Sequence, residues 1–390
     1  LFVVGDELFD YEFRPENGLG NGLAGRPGSQ AAVGPAPNLR RVLRGEFGGP
    51  DSHNCSSCHS KGGPDGAGHL TQNGFLRGDG VSTLAADARN PPHLLGLGPV
   101  EALAREMTAE LQGQRSRAIA EARAGGRAVE ARLESKGVRF GALWAQPDGG
   151  VDASLLEGID PDLVVKPFGW KGHQGTIREA VEEAFRIHLG LVSMHDQERL
   201  RDGKAPVERY GDGVWYDADR DGATIEVDEG MLTTMVVYLS QLEAPAIRPP
   251  AIDGLADRFA RGAALFEEVR CSSCHRPFLR LQDPVLAVRP RGADAAASEP
   301  IRVDVAADGE HPKIEPEDTA RTAFKVRLFS DLKRHDLGPN FHERQYDGTI
   351  KTLFVTEPLW GVATTAPYGH DGRSINLNEV ILRHGGEAQS

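Results

Sequence analysis

The chain has 390 residues, 39 % of them hydrophobic and 26 % charged. At about 150 residues per domain this predicts two or three globular units, and it excludes a single small module, wholesale disorder and a coiled-coil rod. Its 44 Lys and Arg against 57 Asp and Glu give a net charge of −13, which argues against a nucleic acid or an anionic membrane as partner and suits a small basic redox protein.

The 47 Gly and 25 Pro, with only 6 % aromatics, predict much loop, and a large cofactor would help to hold it. No run approaches 18 apolar residues. The longest greasy stretch, Met231 to Leu242, is interrupted by Thr, Tyr, Ser and Gln, so no membrane span is expected. The chain opens at Leu1 without Met, compatible with a trimmed leader, and export has to be argued from the cysteines.

All four cysteines fall into two identical pentapeptides, Cys55-Ser56-Ser57-Cys58-His59 and Cys271-Ser272-Ser273-Cys274-His275. Composition alone predicts on the order of 0.001 CxxCH matches, and the pattern is the attachment signal of haem c. Two thiols three residues apart reach the two vinyl groups of one porphyrin, and the adjacent His then lies under the iron as a neutral imidazole. The competing reading is two disulfides or one zinc site. Two haem c groups imply the oxidising side of a bacterial membrane, periplasmic or secreted.

In chain order, Arg89-Asn-Pro-Pro-His-Leu-Leu-Gly96 follows the first motif. Residues 101–136 are rich in Ala, Arg and Glu and predict amphipathic helices, part of a helical insertion over about 101–160 that would roof the first site. Pro167-Phe168-Gly169-Trp170-Lys171-Gly172 then leads into Thr176-Ile-Arg-Glu179, an N-cap followed three residues later by Glu, which is a capping box. Asp217, Asp219 and Asp221 with Gly222 and Asp228 have the spacing of an EF-hand-like calcium loop, with an ordinary acidic turn as the alternative. After the second CxxCH, residues 283–320 predict a long excursion with short strand-like pieces at Ile301–Val305, and Phe324–Phe329 alternates in the same way.

Offset by 200, Pro367-Tyr368-Gly369-His370-Asp371-Gly372 and Asn376-Leu-Asn-Glu379 repeat the earlier segment and its capping box, and Glu357-Pro-Leu-Trp-Gly361 echoes residues 89–96. The expected fold is therefore mainly α: two tandem class I cytochrome c-like haem domains, residues 1–242 and 243–390, with long loops and the helical insertion. In the second repeat Leu377, Val380, Ile381 and His384 fall at i, i+3, i+4 and i+7, which puts His384 on an inward apolar face.

On Leu8-Phe9, Cys55–His59, Arg89–Ala102, Phe168–Lys171, Ser330–Gly338 and Ala366–Gly386, the chain resembles the di-haem c-type peroxidase superfamily. That superfamily includes the bacterial di-haem cytochrome c peroxidases and the methylamine-dehydrogenase maturation enzyme; the nearest likeness is its di-haem oxidoreductase branch, once labelled thiol oxidoreductases. The resemblance implies that the distal ligand of the second haem sits fourteen residues after His370, at His384, giving a bis-His iron of low potential. A hydrogen-bonded core histidine is the alternative for His384, and His370 is implied as a propionate or outer contact. Ala184 stands where His384 stands in the second half, so the iron on His59 is expected to be open to H2O2 or O2, with His188, His69 and His93 as other candidate ligands.

The family's distal Gln and Glu positions hold Phe168 and Arg178 here. Glu101 is then the first candidate acid–base and Arg178 the candidate charge stabiliser, with Glu179 better explained by its capping box. Trp170 and Trp360 are candidates for relaying electrons between the haems, with simple packing as the alternative. The resemblance also implies a calcium ion between the two halves. The expected function is a peroxidase-like di-haem oxidoreductase. The alternatives are a non-enzymatic electron-transfer cytochrome and an oxygenase acting with O2 on an apolar substrate.

Overall fold

The computed structural model describes residues 1–19, 42–43, 46–47, 52–60, 74–76, 87–195, 198, 223, 225–247, 251–252, 254–290, 299–307, 314–344 and 349–389. Helices hold 35 % and strands 19 % of the chain, the strands lying in several small antiparallel sheets. The expectation of a mainly α pair of class I cytochrome c-like domains is therefore corrected to an α/β mixture.

Helix α1 (Phe2–Asp10) packs on α4 (Glu229–Gln241). Gly5 and Phe9 are its buried positions, one turn apart, and Phe9 lies 5.7 Å from the ring of Tyr238. Gly5 permits the approach, because a β-carbon there would overlap the Tyr238 side chain. Helix α2 (Leu97–Gly125) is 29 residues long, about 43 Å at 1.5 Å per residue. It buries Leu103, Met107, Leu111, Ala118 and Ala122 along one stripe, each large side chain contributing about 2 kcal/mol.

That stripe faces a meander of β1 (Val129–Ser135), β2 (Val138–Ala145) and β3 (Val151–Asp152). The insertion expected to be helical over 101–160 is thus one helix followed by antiparallel strands. Its turn is Lys136-Gly137, both at positive φ (50° and 77°), the geometry of a two-residue hairpin whose twist matches its strands. Alternation carries Leu133, Val138 and Phe140 into the core, and the register shift opposite Leu133 changes the phase so that Leu143 is buried too.

Helix α3 (Ile177–Ala184) continues into a π-helical turn, Phe185–Leu189. The second half begins with α5 (Leu255–Glu268) and ends with α6 (Leu377–Arg383). Between them lie β4 (Leu279–Leu281), β5 (Val285–Val288), β6 (Ile301–Asp304), β7 (Glu315–Pro316), β8 (Phe324–Val326), β9 (Arg334–Asp336) and β10 (Leu353–Val355). They pair as β5 with β6, β8 between β7 and β4, and β9 with β10.

One continuous apolar cluster runs from Phe9 through Leu103 and Tyr238 to Val326 and Trp360, so the halves divided at 242 share a core. Arg334 crosses to Asp160 at 2.5 Å, and the amides of Gln282 and Asp283 donate to Glu106.

Candidate haem sites

The internal repeat is reproduced bond by bond. Phe168 and Gln174 exchange backbone hydrogen bonds, as do Tyr368 and Ser374. In each hairpin the second glycine donates to the first, Gly172 to Gly169 and Gly372 to Gly369, and all four sit at positive φ, where L-residues are strained. Thr176 accepts from the Glu179 amide and Asn376 from the Glu379 amide, while each Glu carboxylate reaches back to Gly175 or Ile375.

The two hairpins are fastened to each other. Asn90 donates to the carbonyls of Pro367 and Gly369 and Trp170 Nε1 donates to Asn90, while the Val355 amide donates to Trp170. Arg89 grips Glu343 through both guanidinium nitrogens at 2.7 and 3.1 Å, Lys171 Nζ pairs with the same carboxylate, and His370 Nε2 lies 3.5 Å from it. Burial opposes the charge on Glu343, but the two cations overrule it and hold its carboxyl far below the usual range.

Each CxxCH forms a single tight turn: the His59 amide donates to the Cys55 carbonyl and the His275 amide to that of Cys271. The imidazoles are oriented alike. His59 Nδ1 lies 3.0 Å from the Pro92 carbonyl and His275 Nδ1 lies 2.9 Å from the Phe329 carbonyl. A carbonyl only accepts, so the proton sits on Nδ1 and Nε2 keeps its lone pair, the arrangement that orients an imidazole toward a metal. Desolvation, reinforced by His188, lowers His59 to about 4, and desolvation with His384 lowers His275. Both rings are therefore neutral at ordinary pH.

His384 caps α6 and shows the same orientation, Nδ1 lying 2.6 Å from the Val380 carbonyl. Its ring packs edge-on against Phe341 at 5.3 Å. One expectation is corrected here. No residue of α5 or α6 is buried, and several of their apolar side chains stand in the open: Leu265 is 40 %, Ile381 61 % and Leu382 82 % exposed. Phe266 of α5 lies 6.5 Å from His275, and His384 ends α6. Two amphipathic helices thus flank a bare imidazole with uncovered apolar surface, the environment a porphyrin would cover.

Among the described residues, one other cluster has metal-ligand chemistry: Cys274, Asp331 and His335. The His335 ring is held on both sides, Nε2 2.8 Å from Asp331 and Nδ1 2.7 Å from Glu387, with Cys274 Sγ 3.9 Å from Nδ1. Burial would lower this histidine, but the hydrogen bond and charge of Asp331 together with Cys274 raise it to about 11. It is an imidazolium with both nitrogens spent on carboxylates, which opposes the zinc reading.

The distal candidates divide. Glu101, on α2, accepts the Ile177 amide at 2.8 Å at the start of α3, and burial raises its pKa. Arg178 does not stand free as a charge stabiliser: its guanidinium is 6 % exposed and committed to Glu229 and Thr233, both at 2.8 Å. It ties α3 to α4. Phe168 is a core residue. Trp360 is buried, donates to the Arg327 carbonyl and lies 5.9 Å from His93. Trp170 meets His370 edge-on at 6.5 Å.

Asp217, Asp219, Asp221 and His69 lie outside the described residues. Asp228 is the N-cap of α4, its Oδ1 accepting the Met231 amide. Sequence reasoning passed over the Pro92 and Phe329 carbonyls, which no motif marks, and the carboxylates of Glu343, Asp331 and Glu387. It also assigned no role to Glu357, whose carboxyl burial pushes up to about 8.

The chain matches no protein-family model, no curated protein and no solved structure. No helix among the described residues is long and apolar enough to cross a membrane.

Proposed function

We propose that this chain is a periplasmic or secreted di-haem c-type oxidoreductase, peroxidase-like, which passes electrons from a small basic redox protein to H2O2 or O2. The observation that carries the reading is the shared state of His59 and His275. Each follows a pair of cysteines, and each gives its Nδ1 proton to a backbone carbonyl and keeps a bare Nε2. Cys55 and Cys58 would hold one haem, with His59 below its iron; Cys271 and Cys274 would hold the other, with His275 and His384 as its axial pair. A bound haem iron supplies a one-electron site and, where a coordination position is free, a place for the oxidant.

The chain's own residues then do the rest. Glu101, whose carboxyl burial raises, accepts the Ile177 amide at the first turn of α3 and is the candidate acid–base. Phe168, buried in the first hairpin, would help to exclude water. Trp360 lies between the segments that orient the two imidazoles: His93 follows Pro92, and the Leu359 amide bonds Leu328 next to Phe329. It therefore suits electron passage between the halves.

A second reading, a non-enzymatic electron carrier, is favoured by one observation: His188 is close enough to His59 to depress its pKa. Expression in a bacterium with haem c maturation tests the common core. Intact mass should rise by two haems and fall by one in each of C55S/C58S and C271S/C274S; four unmodified thiols would overturn it. Turnover of peroxide with a reduced basic cytochrome separates the enzyme from the carrier.

A further inference from the structure

The surface beside the first CxxCH carries predominantly one sign of charge. Along α1, Val3, Glu7 and Asp10 fall at i, i+4 and i+7 and are exposed, on the face away from the buried Gly5 and Phe9. Val4 and Asp6 flank that stripe. Val3 is 68 % and Val4 61 % exposed, and Phe2 is 40 % exposed at its edge. After the helix Glu12 and Glu16 add two exposed carboxylates against one exposed cation, Arg14. Tyr11, Glu12, Arg14, Glu16 and Asn17 line an open cleft of about 480 Å³ that continues the patch. Apolar side chains beside a row of carboxylates have the anatomy of a small, transient interface for a cationic partner.

The ground beside the second motif differs. The exposed acids of α5, Asp257, Glu267 and Glu268, are matched by exposed Arg258, Arg261 and Arg270, so neither sign of partner is favoured there.

Helix α1 is also joined to the first attachment turn. Its Phe9 carbonyl accepts the amides of Cys55 at 3.1 Å and Ser56 at 3.4 Å, and Asn54 Nδ2 donates to the Asp10 carbonyl at 3.4 Å. Aromatic rings continue inward from the patch: Phe2 lies 5.0 Å from Tyr238, Tyr238 5.7 Å from Phe9, and Phe9 6.5 Å from His59. A partner seated on α1 is separated from the first site by the thickness of one helix, about 10 Å.

Resting on the di-haem reading above, we infer that the outer face of α1 is the docking surface for the small basic redox protein, so that its electron enters at the first site directly and not by way of the second. The partner is a one-electron carrier whose apolar edge is ringed by lysines. Its apolar edge covers Phe2, Val3 and Val4, and its lysines meet Asp6, Glu7 and Asp10. In the transfer the carrier is oxidised by one electron and the first site is reduced by one; no bond is made or broken and no proton moves.

The test uses the full-length protein with both haems confirmed by mass, and mitochondrial cytochrome c as the small basic carrier. Calorimetric titration of the two oxidised proteins reads binding without turnover. The wild type should bind at about 20 mM salt and lose most of that affinity by about 200 mM. E7K/D10K should weaken binding about tenfold at the lower salt, with the haem spectrum unchanged because both side chains are exposed. Val3→Ser should weaken it less and leave the salt dependence as it was. D257K/E268K on α5 should bind as the wild type does. No binding by the wild type, equal affinity in E7K/D10K, or a loss confined to D257K/E268K would overturn the docking surface. Absence of covalent haem in the mass spectrum would instead overturn the reading beneath it.

Discussion

Replacing Glu343 by Gln should destabilise the protein strongly, because this side chain is 7 % exposed and neutralises Arg89 and Lys171, themselves 14 % and 13 % exposed. Gln keeps the shape but leaves two buried cations without a counter-charge, and breaking a buried pair from one side costs about 3–5 kcal/mol. At about 2.1 cal/mol/K per residue, the unfolding entropy of a chain of this length is about 0.8 kcal/mol/K, so a loss of ~4 kcal/mol lowers Tm by about 5 °C. One core runs through both halves, which supports treating the transition as a single step.

Calorimetry of wild type and E343Q between pH 3 and 7 tests both size and sign. The folded pKa of Glu343 is depressed, so its contribution is complete above the ordinary carboxyl value and fades as pH falls from there toward the folded value. The gap between the two proteins should therefore be constant near neutrality and narrow below about pH 4.5. A gap under 1 °C at pH 7, or one that widens in acid, would refute the argument.

Arg178→Met should cost about 3 kcal/mol by leaving the Glu229 carboxylate without its cation, read by urea unfolding; on the proposed di-haem reading the haem spectrum should not change, and an altered spectrum at full stability would restore a distal role. Gly96→Ala places a methyl against the Trp360 ring at φ 77°, so a loss of at least ~1 kcal/mol and a shifted tryptophan emission are expected. For His335 the hydrogen bond and charge of Asp331 raise the folded pKa, so its stabilising contribution is complete below about 6.5 and lost as pH rises through the folded value. Urea midpoints of wild type and His335→Gln should accordingly converge between pH 7 and 10, and a gap that stays constant would contradict the buried imidazolium.

The repeat, its capping boxes and its four positive-φ glycines were legible because each is local: a cap needs three residues of spacing and a hairpin two glycines. The CxxCH turns were legible for the same reason. The strands after residue 129 were missed because the Ala, Arg and Glu richness of α2 runs on into β1, and the Lys136-Gly137 turn between alternating segments was outweighed by composition. Arg178 was misjudged because its partners, Glu229 and Thr233, are more than fifty residues away. His384 was foreseen on a buried apolar stripe, yet that stripe is uncovered: periodicity reports that a face is apolar, and not what covers it. The N-cap role of Asp228 was not legible from the loop spacing that drew attention to it; the Met231 hydrogen bond shows it.

The fastening of the two repeats carries a consequence for both sites. The backbone that orients His59, residues 90–93, is itself held by the second hairpin through Asn90, while the Trp170 side of the first hairpin is held by Val355 of β10. The segment that orients His275 is tied by Leu328 to Leu359, and so to Trp360, which faces His93. Neither imidazole is therefore positioned by its own half alone. A disturbance at one is transmitted through a short, packed and hydrogen-bonded route behind both rings. The buried Arg89–Glu343–Lys171 knot joins the same two halves, Arg89 and Lys171 from the first and Glu343 from the second, although its charges are costly to bury.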